Sequence, residues 1–444
     1  ALRSCAHFWD CGKWRWGFVS RSTIKKVVAR QLLDCKCRPM LEVEVHTEGG
    51  TVGVGSAPTG SSVGKHESVV LRDNDLEHYH GMTVYRAVQM VNEVIGPAII
   101  GMEVTDQRAI DTCMIELDGT DNKKILGGNS IYSVSLACLR AAALTCGQPL
   151  YVYINGQTPK KLPIPTFNVI NGGRYGRLVQ PFNEFLLVPY GAESMEEAVE
   201  IGVRVFQELE TTICHYQNGG MPLLGGSFGY AAPSEDPERV LELMQAAAEA
   251  CGCGGRIVYA LDCASSEMYD RNTETYLLNG RRVTNEELID YVKRLSRKFP
   301  FLFVEDLLDQ DDWTGYVKAH KELENTYLIG DDLIVTNRKR LEKACSLNAV
   351  DGFILKPNQV GTITEAMDTY RYGKEKKLIA IPSGRSGGVI GDVVMDFSVG
   401  LQAPIQKNGA PRSGERIDKL NYLLRVASRY PDAEITSGRE IARF

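Results

Sequence analysis

Four short apolar runs decide the fold of this chain: YALDCASSE at 259–267, FLFVED at 301–306, YLIGDD at 327–332 and FILKPNQ at 353–359. Each is of strand length and delivers a chemically loaded side chain, in turn Asp262, Glu305, Asp331 and Lys356. In an eight-stranded α/β barrel the strand ends point to one common face, so residues delivered in this way converge on a single pocket. Three carboxylates and a lysine gathered there read as a divalent metal beside a base. Three hard oxygen ligands arriving from separate strands suit Mg2+, which takes one or two carboxylates readily and keeps its other positions for water and substrate. A Cys/His set would have pointed to zinc. One acid at a strand end would merely start a loop or cap the next helix; three, evenly spread and followed by a lysine run, exceed what loop chemistry requires.

Outward from these runs the same alternation continues. PTFNVI (165–170), NEFLLVP (183–189) and KLIAIPS (377–383) read as further strands, and MEEAVEIGVRVFQELE (195–210) and ERVLELMQAAAEA (238–250) as helices. Strands alternating with helices over such a length imply a parallel barrel. Ahead of it, MLEVEVHTEGG (40–50) alternates as a strand and turns through Gly49-Gly50 into TVGVGSAPTGSSVGKHE (51–67), whose Gly/Ser-rich part is a loop. YRAVQMVNEVI (85–95) and SVSLACLRAAALT (133–145) carry apolar residues at three- and four-residue spacing, the mark of helices. The expected class is therefore α/β: a small α+β domain over 22–155, then a barrel over 156–444.

The 444 residues carry a net charge of -6 and a pI near 5.8, which describes an acidic protein with no case for nucleic acid as its main partner. No apolar stretch reaches the roughly 18 residues that cross a bilayer, so a cytoplasmic protein is expected. The 12 cysteines are scattered, and Cys35/Cys37 and Cys251/Cys253 find no further ligands to complete a zinc set. Reduced thiols are expected. Residues 1–21, rich in Trp and basic side chains, lack the apolar core of a secretory signal. They read either as an extension of the chain or as an organelle-targeting leader.

VARQLLD, TDQRAIDTCMIELDGT, PIPTFNVINGG, LDCASSE, VEDLLDQDDW, GDDLIVTN, LKPNQVG and KNGAP resemble, in order, the signatures of the enolase family of Mg2+-dependent lyases, which interconvert 2-phosphoglycerate and phosphoenolpyruvate in glycolysis. The resemblance runs from about Ser22 to the C-terminus. It implies a small N-terminal α+β capping domain, an enolase-type modified TIM barrel and a homodimer acting on a small phosphorylated carboxylate. It implies that Asp262, Glu305 and Asp331 are metal ligands and that Lys356 is the base. Lys407 then neutralises the substrate carboxylate, Glu184 lies beside the leaving hydroxyl, Arg385 and Ser386 bind phosphate, and Ser62 is a second-metal ligand on a closing loop. Cations near Lys356 are expected to lower its pKa so that it accepts a proton.

The departures from the family pattern cluster in the site. LLGGSFGYAAP (223–233) places Ser227 and Phe228 where the family carries an Asp-Glu pair that includes the second catalytic glutamate. Ser383-Gly384-Arg385-Ser386 lacks the family's histidine, and Arg174 and Tyr175 stand for a serine-histidine pair, where they are taken as substrate-binding. Asn183 replaces a glutamine, the early segment reads DCKCRP (34–39), and the loop carrying Ser62 reads PTGSSVG (58–64). Metal, base, carboxylate and phosphate groups are thus kept, while those that help hydroxide leave are mostly replaced.

Three functions fit this pattern: an enolase-like lyase in which Tyr175, Arg174 or Glu184 supplies the acid, a relative acting on another carboxylate, and a silent homologue kept as a binding protein. His66, His78, His80, His215 and His320 show no ligand spacing and read as surface or loop residues. Asp332 and Glu267 read as supports or plain loop hydrogen-bonders. The acids of DQDDW (309–313) read as a helix start.

Overall fold

In the computed structural model, which describes residues 20–60, 64–173 and 180–444, the chain opens with an antiparallel sheet. Its strands are β1 (Ile24–Leu33), β2 (Pro39–Thr47) and β3 (Val52–Ser56), with β2 central. The β2–β3 turn contains Gly50 at φ 83°, the left-handed region that glycine enters without steric cost. Helices α1 (Gln107–Asp118) and α2 (Gly128–Thr145) follow. α2 lies directly on β3: a β-carbon on Gly55 would stand 2.1 Å from the Ser133 carbonyl oxygen, and one on Gly53 2.1 Å from that of Ala137. The alternating glycines of VGVGS thus let a helix backbone touch a strand.

The barrel comprises β4 (Ile164–Asn171), β5 (Glu184–Val188), α3 (Met195–Tyr216), α4 (Pro237–Ala250), β6 (Val258–Asp262), α5 (Asn285–Lys298), β7 (Phe301–Glu305), α6 (Trp313–Glu322) and β8 (Tyr327–Gly330). It continues with α7 (Arg338–Leu347), β9 (Gly352–Leu355), α8 (Ile363–Glu375), β10 (Ile379–Pro382), α9 (Val394–Gly400), β11 (Ile405–Lys407) and α10 (Gly414–Arg429). The sheet runs β10-β9-β8-β7-β6-β5-β4-β11, and a parallel bridge between Ser383 and Lys407 joins its two ends.

Two features differ from a simple parallel barrel. β5 is antiparallel to both β4 and β6. The last strand, β11, is only three residues long, IQK, too short to show a period. The strand residues are buried on both faces, as helix-wrapped strands must be. Ile164, Leu186, Val188, Val258, Ala260, Leu302, Ile329, Ile354, Ile381 and Ile405 form one cluster within the barrel, while Leu187, Leu261, Leu328 and Phe353 pack into the main core.

The N-terminal segment is fastened to the barrel face where the site lies. Thr59 bridges Gly387, the Ile363 amide donates to Ser135 Oγ (3.0 Å), and Lys123 Nζ pairs with Glu365 (3.0 Å). DCKCRP acts in this junction: Asp34 accepts from Arg38 Nε (2.9 Å) and from Thr59 Oγ1 (2.5 Å). Residues 1–19 of the N-terminal extension, Ser62, Arg174 and Tyr175 lie outside the described residues. No disulfide joins the ten described cysteines, and among the described residues no helix is long and apolar enough to cross a membrane.

Candidate active site

Strand register sets the site. Glu305, last in β7, pairs with Asp262, last in β6. Glu184 is the first residue of β5, yet it also pairs with Asp262, because β5 runs the other way and its start meets the ends of its neighbours. Asp331 and Lys356 directly follow β8 and β9, and Lys407 ends β11. All but Glu305 line one cleft, together with Arg385, Ser386 and Glu67.

Ion pairs knit these groups together. Lys407 Nζ lies 2.8 Å from Asp262, 2.7 Å from Glu305 and 3.1 Å from Glu184. Lys356 donates to Asp331, whose other oxygen accepts from Gln359 Nε2 at 2.8 Å. Burial raises Asp262 above the usual carboxylate range and Glu305 well above it, although Lys407 opposes both shifts. Burial also works to raise Asp331, but Lys356 outweighs it and holds the carboxyl low. Lys356 does not behave as the sequence suggested. Burial and the cations Arg385 and Lys407 act to lower its pKa, but Asp331 and Glu305 prevail and the ammonium stands above its ordinary value. The lysine sits against a carboxylate, and that contact, not the more distant cations, dominates.

Elsewhere in the cleft, the Arg385 guanidinium is forked onto Glu67, at 2.9 and 3.3 Å, with both side chains almost fully buried. The Ser386 carbonyl accepts from Arg416 Nη2 (3.4 Å). Where the family pattern has its second glutamate, Phe228 has φ 67° and its ring lies 4.9 Å from the Arg416 guanidinium carbon, while Ser227 Oγ donates to Glu184 at 3.4 Å. Asn168 Nδ2 donates to the same Glu184 oxygen at 2.6 Å.

The donor set fits a hard dication. Asp262, Glu305 and Asp331 offer only carboxylate oxygens, and Glu305 Oε1 is buried with no hydrogen-bond donor among the described residues, an arrangement a cation would relieve. Among the described residues the tightest acidic group is a different one: oxygens of Asp306, Asp331 and Asp332 lie within 4.8 Å of one another. Asp306 is better read as a strut, because its carboxylate accepts the amides of Asp331 (2.9 Å) and Asp332 (2.7 Å) and fixes the loop after β8.

Asp306 is pushed up to about 7 by burial and by its acidic neighbours; burial likewise lifts Asp111 and Asp396 to about 6. Folded protein therefore holds these protons more tightly than unfolded chain, whose Asp titrates near ~3.9. Their stabilisation is complete below that value and is lost as pH rises through the 6–7 range of the folded groups. Metal-free protein should thus show a falling thermal midpoint between pH 5 and 7.5. Mg2+ should raise the midpoint more at pH 7.5, where its carboxylates are charged; an equal Mg2+ effect at both pH values would contradict this.

Reading by residue type missed Glu67, Gln359, Asn168, Arg416 and Lys419. The first four act through contacts with other segments, from Asn168 and Glu184, 16 positions apart, to Glu67 and Arg385, 318 apart. Asp312 caps α6 by accepting the Gly315 amide at 2.8 Å, so the DQDDW acids do mark a helix start. His320 differs from expectation: it lies in α6, only 16% of its side chain is exposed, and its Nε2 is 3.0 Å from Asp351.

Comparison with known proteins agrees with this architecture. Residues 24–154 match the family model described as "Enolase, N-terminal domain", and residues 159–443 match "Enolase, C-terminal TIM barrel domain". A protein of Methanopyrus kandleri named "Enolase" is 41% identical over 406 residues, covering 91% of this chain and 95% of the relative. Matched through both of its halves, and similar to that relative over nearly its whole length, the chain belongs to the enolase family.

Proposed function

We propose that this protein is a Mg2+-dependent hydro-lyase interconverting 2-phosphoglycerate and phosphoenolpyruvate, with Lys356 as base. The observation that carries the reading is the pair of lysines, Lys356 and the buried Lys407, set among Asp262, Glu305 and Asp331 at one end of the barrel. A bound Mg2+ would supply positive charge among these carboxylates, countering the Asp331 charge that keeps the proton on Lys356 and the second negative charge that develops on the substrate. Lys356 Nζ then takes the C2 proton. The Lys407 ammonium neutralises the substrate carboxylate as that charge grows, in a buried setting where it counts for more than in water. Arg385 exchanges Glu67 for phosphate oxygens, a match for its fork geometry. Glu184, oriented by Asn168 and Ser227, is the carboxyl group left to assist the departing hydroxide. Work in glycolysis, as a cytoplasmic homodimer, belongs to the same proposal and rests on family membership.

One observation favours a second reading, a lyase acting on another carboxylate with a better leaving group. Phe228 turns its ring onto Arg416 where a carboxyl group would have served the leaving hydroxide.

The test follows 2-phosphoglycerate in D2O with Mg2+, recording C2 exchange by NMR and phosphoenolpyruvate by absorbance. Exchange is expected to outrun product formation by about 10-fold or more, because a positioned acid typically contributes roughly 10²–10⁴-fold. Exchange without any product would favour the second reading. Neither signal, with Mg2+ bound, would leave a silent homologue and end the lyase proposal.

A further inference from the structure

One charged group in the cleft has no role in the chemistry above. Lys419 lies on α10, whose first turns bring Glu415, Arg416 and Lys419 to the buried side before Leu420, Leu423 and Val426 take over. Its side chain is 2% exposed, its Nζ has no hydrogen-bond partner among the described residues, and it lines the same cleft as Arg385, Lys356 and Glu184. Among the described residues the nearest opposite charge, Asp392 Oδ2, is 3.9 Å away, beyond hydrogen-bond reach, and Asp392 spends its other oxygen on the Val394 amide at 3.1 Å. Glu415 is turned to Arg416, with 3.1 Å between its oxygen and Nε.

The position of this ammonium depends on a neighbour with no side chain. A β-carbon on Gly384 would lie 2.8 Å from Lys419 Nζ, so any larger residue there would push the ammonium aside. Gly384 does not have a positive φ, so the backbone itself does not demand glycine. What glycine provides is space, and the lysine end occupies it. A buried ammonium left without an acceptor is costly unless something brings one. The next residue, Arg385, opens onto the same cleft.

We infer that Lys419 is a further anion-binding residue of this site, admitted by the bare Gly384, and that its ammonium holds a phosphoryl oxygen of the substrate alongside Arg385. The identity of the anion rests on the proposed lyase reading; the cationic subsite itself does not. The competing role is structural, a loose buried ion pair with Asp392.

Calorimetric titration with inorganic phosphate and with 2-phosphoglycerate, in Mg2+, tests this on the full chain, on Lys419→Met and on Gly384→Ala, with thermal unfolding measured beside it. Lys419→Met should weaken both ligands by about ten- to a hundredfold, the usual loss for a hydrogen bond to a charged group. Some fall in unfolding temperature is expected with it, because buried Asp392 loses its ion-pair partner, so Gly384→Ala is the variant that separates binding from structure. Gly384→Ala keeps the lysine but displaces it, and should weaken both ligands by a smaller factor. Unchanged affinity in both variants overturns the inference, and if 2-phosphoglycerate is still converted the lyase reading stands without it. Destabilised Lys419→Met together with unaltered binding by Gly384→Ala also overturns it, in favour of the ion pair. Phosphate binding that depends on Lys419, without conversion of 2-phosphoglycerate, supports the subsite and removes the lyase reading. Failure of the unaltered chain to bind either anion ends both.

Discussion

Lys356→Ala should lower C2 proton exchange on 2-phosphoglycerate by roughly 10²–10⁴-fold, the usual contribution of a positioned base. The side chain ends in the cleft against Asp331, and the other lysines lining that cleft among the described residues, Lys407 and Lys419, have different surroundings. Lys407 is committed to three carboxylates and stands well above its ordinary pKa, although burial opposes this, so it does not take over as base. Lys419 has Asp392 and Glu415 as the acids nearest its charge, whereas Lys356 stands on Asp331. Binding of Mg2+, followed by calorimetry, should survive and even tighten, since Asp331 loses a competing cation while keeping its bond from Gln359. Exchange at the unaltered rate would remove Lys356 from the mechanism.

Lys407→Met should be the most damaging single change to the metal-free protein, at about 3–5 kcal/mol, the cost of stripping the partner from a buried charge. Three carboxylates converge on this one ammonium, and Glu305 already has one oxygen unpaired. The penalty has a definite pH dependence. Asp262 and Glu305 are already raised by burial, and without Lys407 they rise further, so at low pH they take up protons and the cost shrinks. The loss should therefore be larger at pH 8 than at pH 5, and millimolar Mg2+ should restore much of it by standing in for the ammonium. Urea unfolding midpoints at both pH values, with and without Mg2+, measure this. A midpoint indifferent to the substitution would mean that the lysine contributes nothing to holding the carboxylates together.

These expectations draw on different levels of information. Asp262, Glu305, Asp331 and Lys356 were legible because each stands at the end of a strand-length apolar run, and a barrel carries such ends to one face. Ser227, Phe228 and Gly384 stood out in the sequence because the surrounding text keeps its family pattern. Their consequences did not. That Phe228 covers Arg416, and that Gly384 leaves room for an ammonium from α10, are facts about which atoms meet.

The direction of β5 shows the boundary most clearly. NEFLLVP reads as a strand in either direction, since apolar content carries no polarity. Once β5 pairs antiparallel with β6, Glu184 moves from what would be the far end of the barrel to a position opposite Asp262. The pKa of Lys356 follows the same logic, because the list of nearby cations was apparent from motifs but the Asp331 contact that outweighs them was not. Periodicity and strand-end chemistry are local properties, written over stretches of five to ten residues, so the amino-acid order alone established the barrel and its capping domain and marked Asp262, Glu305, Asp331 and Lys356 as strand-end residues. Register, strand direction and charge pairing depend on separations of a few ångströms between segments tens to hundreds of positions apart, and only packing sets those distances.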